Sequence, residues 1–255
     1  MTLPDGGPAA RPPRPARPPA FNVPSVILWL TAAFVAVHAV RLYLLSPFND
    51  AWLLLNMAFL PGCYGSADEI CQLRASGAGL WSPLTYAFVH ADWMHLGFNT
   101  IWLVAFGSPV AVRLGPWRTL AFCAAGAMAG AALFELVNPD LVAPVIGASG
   151  TVSALMGGAS RFAIGSPARR PGGGMIDARR RLLGITEVLR DRTVLFFVLM
   201  FFVTNLVLGA GVGGFLGADG QVAWEAHLGG FAFGFLFFGF FDRSPRAGRI
   251  GPGPA

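Results

Sequence analysis

Apolar residues run along this chain in six blocks, at 25–45, 95–112, 117–137, 151–164, 193–208 and 224–241, parted by polar stretches rich in glycine and proline. Most of the blocks approach the roughly 20 residues that a helix needs to cross a bilayer. The pattern therefore predicts membrane-spanning helices. The fourth block is the short one.

Composition agrees with that reading. Only 12% of the 255 residues are charged and 55% are hydrophobic, whereas about a quarter of a soluble domain is charged; mean hydropathy is +0.59. The expected fold class is an all-α polytopic membrane protein, a six-helix transmembrane bundle. All 18 basic residues are arginine, and 16 of them fall at the N-terminus, at or between blocks two and three and blocks four and five, or after block six. Arg41 and Arg74 are left for the other side. Cytoplasmic loops carry the excess of arginine, so both termini are expected in the cytoplasm. The net charge of +5 sits beside membrane segments, where it sets topology and attracts anionic lipid, so no nucleic acid partner is expected.

Residues 1–24 and 243–255 read as disordered cytoplasmic tails flanking a membrane domain at 25–242. The first is Pro/Arg/Ala-rich and has no apolar run, so it is not read as a signal peptide. Asp5 is its one acidic residue, which leaves a transit peptide open, although its prolines would break an amphipathic helix. Cys123 falls in block three and reads as a small packing residue. Cys63 and Cys71 share the first external loop and can pair there or stay free. With no CxxC pair and no external histidine nearby, no zinc site is expected, and no cofactor.

Polar groups at membrane depth are costly and mark function by default. His95 and Asn99 lie four apart, on one helical face. His90 sits five residues earlier, points elsewhere and is expected to serve as a structural hydrogen-bonding residue. Gly147, Ser149 and Gly150 precede a helix of small residues whose inner end is marked by Arg161. The ten residues 151–160 make about 15 Å of helix against a hydrocarbon core of about 30 Å. Ser149 is thus expected near mid-depth, with residues 138–148 dipping into the membrane beside a wet cavity. The glycines allow a sharp turn and close approach of backbone; the helix N-terminus offers free N–H groups to an anion. Gly230 and Gly234 form a GxxxG face that permits close helix contact, and His227 shares that face. If block six packs on block four, His227 reaches Ser149 and can act as its general base. Glu225 faces away from His227, Asp219 lies in an external loop and Glu135 ends block three. The expectation is therefore a Ser–His dyad without a carboxylate. Read singly, each of these groups could equally serve helix packing or an interhelical hydrogen bond.

Taken together, HxxxxHxxxN at 90–99, GxSG at 147–150 and AHxxGxxxG at 226–234 resemble the rhomboid family of intramembrane serine proteases, over residues 81–241. Their order and placement are similar to a six-helix bacterial-type member. The resemblance implies Ser149 as nucleophile, His227 as general base and an oxyanion hole from the Ser149 N–H with the side chains of His95 and Asn99. It implies single-span membrane proteins as substrates, unwound near their outer ends, and a bacterial inner membrane as the location. Block five, with Phe196, Phe197, Phe201 and Phe202, and the glycine-rich loop 209–220 would gate their entry. Three departures stand out. Ser82 follows Trp81 where an arginine is common. Ser153 stands where some members stack a tyrosine on the histidine, so His227 needs another support. Ala111 stands where an acidic residue is common, two residues before Arg113. Two other classes compete: a non-catalytic rhomboid-like protein that binds membrane clients, and a transporter using Asn99, Ser149 and His227 as a polar path. The serine and histidine disfavour the first; the lack of similarity between halves disfavours the second.

Overall fold

The computed structural model describes residues 23–65, 68–164, 181–209 and 223–243. The expected tails, apart from Val23, Pro24 and Arg243, and nearly all of the glycine-rich loop at 209–220, lie outside them. A helix occupies each of the six apolar blocks: α1 (Ser25–Tyr43), α4 (Trp93–Leu114), α5 (Pro116–Val137), α6 (Ser149–Ser160), α7 (Arg192–Gly209) and α8 (Trp224–Phe241). Two more, α2 (Pro47–Met57) and α3 (Ala78–Thr85), lie in the connection between α1 and α4, with a single helical turn at Glu69–Gln72 between them. Four of the eight, α1, α4, α5 and α8, are long and apolar enough to cross a membrane. The described residues contain no strand, only an isolated bridge between Phe59 and Val145.

The short helix α6 is the centre of the bundle. Ten of its twelve residues are buried, although it holds few large apolar side chains. Its glycine, alanine and serine residues instead let neighbouring backbones come close, as small residues do in membrane bundles. A side-chain carbon at Gly230 of α8 would overlap the Gly150 carbonyl oxygen, and one at Gly234 would overlap that of Ala154. These contacts repeat every four residues on both helices, which fixes α6 and α8 side by side in one register. The opposite side of the same α8 turn meets α5, where a carbon at Gly229 would lie 2.6 Å from the Ala129 carbonyl oxygen.

Helix α4 departs from the uninterrupted helix that its apolar block predicts. Residues Leu103–Gly107 widen into a π-helical turn just before Pro109. Proline lacks an N–H, and its ring crowds the carbonyl four residues back, so the ladder cannot close normally there. The Ser108 hydroxyl donates to Val104 O, 2.6 Å away, beside the bond that the Ser108 N–H makes to the same carbonyl.

The connection between α1 and α4 is built on hydrogen bonds. Cys63 and Cys71 form a disulfide. Arg74 donates to the carbonyls of Leu55 (3.0 Å) and Ala58 (3.2 Å) at the end of α2, where the last turn leaves carbonyls without helical partners. Trp81 Nε1 donates to Asn56 O at 2.9 Å. The bridge pairs Phe59 and Val145 in both directions (3.0 and 2.8 Å), and Gly62 N–H donates to Leu141 O at 3.0 Å. These bonds tie the connection to the segment leading into Ser149.

Candidate active site

Ser149 is the first residue of α6. The chain reaches it through Gly147, whose φ of +114° lies where residues with a side chain are strained. Space demands glycine there as well. A side-chain carbon at Gly147 would lie 2.6 Å from His95 Nε2 and 3.8 Å from Asn99 Nδ2. The backbone of the turn is held on both sides: Gly147 N–H donates to Tyr86 O (3.0 Å) and Ala148 N–H to His90 Nε2 (3.4 Å). His90 is fully buried.

His95 and Asn99 lie one turn apart on α4, and both face this turn. Asp92 caps the helix by accepting from His95 N–H at 2.8 Å. Ala91 N–H makes a long bond, 3.4 Å, to His95 Nδ1, which assigns the ring proton to Nε2, the nitrogen beside Gly147. Asn99 Nδ2 donates to His95 O at 3.0 Å and keeps its second N–H. Two side-chain nitrogens, His95 Nε2 and Asn99 Nδ2, thus lie beside the Gly147 turn that leads into the first turn of α6. Ser149, His95 and His227 are half-buried, while Asn99 is buried.

His227 stands in the first turn of α8, three residues before the Gly230 contact with Gly150, level with the start of α6. Its Nδ1 is 2.7 Å from Asn205 Oδ1 on α7. Glu225 of the same turn is directed elsewhere: its Oε1 accepts from Asn138 Nδ2 at 3.2 Å.

Two supports escaped the sequence reading. Tyr86 is buried, donates its hydroxyl to Ala127 O at 2.9 Å and sits where a side chain at Gly150 would go. Asn205 is buried in α7. A tyrosine in a loop and one asparagine in a run of phenylalanine, leucine and valine gave no pattern to detect.

Comparison with known proteins agrees with this architecture. The family profile described as Rhomboid domain matches residues 77–243. Rhomboid-related protein 3 of Homo sapiens is 32% identical over 141 residues, 54% of this chain and 31% of that protein. Its Mus musculus counterpart is 36% identical over 85 residues, 33% of this chain and 20% of that protein. The matched stretch thus spans less than a third of either relative. The chain belongs to the rhomboid family, and it is a helical, multi-pass integral membrane protein.

Proposed function

We propose that the protein is an intramembrane serine endopeptidase that cleaves membrane proteins near a transmembrane segment. The observation that supports it most is the turn at Gly147, where His95 Nε2 and Asn99 Nδ2 crowd the place of a side chain two residues before the helix-starting Ser149. Ser149 Oγ attacks the scissile carbonyl while His227 Nε2 takes its proton. Negative charge on the carbonyl oxygen is met by His95 Nε2–H, Asn99 Nδ2–H and the Ser149 N–H. The imidazolium then protonates the leaving amine, and water, activated by the same imidazole, releases the acyl group. His90 and Gly147 keep the turn in place; Gly150, Gly230 and Gly234 bring α8 close enough for His227 to take part.

The arginine distribution supports cytoplasmic termini, and α6 then runs from Ser149 toward the cytoplasm. Its twelve residues make about 18 Å of helix, shorter than the bilayer core, so the serine lies within the membrane. A single-span substrate unwound near its outer end suits this depth, because a helical peptide bond is shielded from attack.

The test is cleavage of a single-span reporter by purified protein in detergent. Wild type is expected to cleave, and Ser149→Ala and His227→Ala are expected to abolish cleavage with the helical fold retained. Cleavage that survives Ser149→Ala contradicts the mechanism; absence of cleavage by wild type across several reporters favours a client-binding member of the family.

A further inference from the structure

We propose that Asn205 is a positioning residue that holds the His227 imidazole in one tautomer, with its proton on Nδ1 and its Nε2 lone pair available. This deepens the reading of His227 as general base and rests on it.

The hydrogen bonds around Asn205 assign the proton without ambiguity. The side chain is buried, and its Nδ2 donates at 2.8 Å to the carbonyl of Phe201, an atom that can only accept. That fixes the amide orientation and turns Oδ1, also only an acceptor, toward His227. The 2.7 Å contact with His227 Nδ1 then requires the ring nitrogen to donate. A histidine whose Nδ1 carries the proton presents Nε2 unprotonated, as a base must.

The pair does not rest on one contact. Phe201 and Phe231 stack with centroids 4.3 Å apart. Phe201 lies four residues before Asn205, and Phe231 four after His227. The aromatic stack and the polar pair are thus successive rungs between antiparallel α7 and α8, and the stack sets the register of the pair. Nearby, the Tyr86 hydroxyl is committed to Ala127 O, and Glu225 to Asn138. Asn205 supplies the support that Ser153 cannot. An amide does so without adding a buried charge, which at membrane depth would be costly.

The experiment uses the full chain in detergent with Asn205→Leu and the near-isosteric Asn205→Asp. Kinetics on a single-span reporter are combined with ¹⁵N NMR of the His227 ring, assigned by His227→Ala. General-base catalysis contributes about 10²–10⁴-fold, so Asn205→Leu is expected to lower kcat on the order of 10- to 100-fold with KM little changed. Asn205→Asp keeps an acceptor and is expected to restore activity. Its carboxylate favours the imidazolium, so the acidic limb of its kcat profile moves to higher pH. The wild-type ring should show protonated Nδ1 and bare Nε2, a pattern lost in Asn205→Leu. Unchanged kcat and pH profile in Asn205→Leu, or a wild-type ring protonated on Nε2, would overturn the proposal. So would equal losses in both variants accompanied by equal losses of thermal stability. If wild type cleaves nothing, the protease reading fails, while the ring spectrum still decides the role of Asn205.

Discussion

At Gly147 a single missing side chain does two things. It permits the positive φ of the turn and leaves room for the His95 ring. Gly147→Ala is expected to cost about 1–3 kcal/mol in backbone strain and to push His95 out of line, so that cleavage falls more than stability does. Thermal unfolding and kcat measured on the same preparation separate the two effects. In the proposed mechanism Asn99 is one donor to the oxyanion, so Asn99→Ala is expected to lower kcat about 10²–10³-fold without altering the fold. Ser149, His95, Asn99 and His227 were legible because each belongs to a short pattern: one helical face, a glycine-flanked turn or a GxxxG ridge. Asn205 was not, since its partner is 22 residues away and its neighbours other than Thr204 are apolar. The disulfide between Cys63 and Cys71 was an open choice in sequence, because only the fold of the loop decides whether two such cysteines meet.

Between elements, backbone proximity rather than large side chains holds the centre together. Gly234→Ala places a methyl against the Ala154 carbonyl of α6, a backbone atom that cannot rotate away. Overpacking of this kind costs about 1–3 kcal/mol; it is expected to lower the unfolding midpoint and, by lifting α8, to reduce cleavage as well. A normal midpoint would contradict the close packing. All six apolar blocks became helices because helix is the open-ended way to satisfy every backbone group in lipid. Block lengths gave their positions to within a few residues. The π turn in α4 and the two helices between α1 and α4 were not legible. The first depends on how Pro109 is accommodated, the second on long-range bonds such as Arg74 to Leu55 and Ala58.

Across the molecule, a long-range pair ties two helix ends together. Arg113, with no acidic residue at position 111, pairs instead with Asp242 at the end of α8, 2.7 Å away with both side chains 5% exposed. Its guanidinium also lies 4.6 Å from the centre of the Phe162 ring. The pair joins the last turn of α4 to the end of α8, and its partners are 129 residues apart in sequence, which is why position 111 alone could not reveal it. Removing one partner of a buried pair costs about 3–5 kcal/mol, whereas replacing both by apolar residues is often neutral. Asp242→Leu is therefore expected to destabilise strongly, and Arg113→Leu added to it to recover much of the loss. Additive losses in the double variant, read by thermal unfolding, would show that the two do not act as a pair.

The nucleophile and its base can be tested without knowing the substrate. A fluorophosphonate reacts with a serine hydroxyl that a neighbouring base activates, and mass spectrometry of the labelled chain locates the adduct. The Ser149–His227 dyad predicts one adduct, on Ser149, that disappears in His227→Ala while the fold persists. An adduct on another serine, or labelling of Ser149 that is unaffected by His227→Ala, would contradict it.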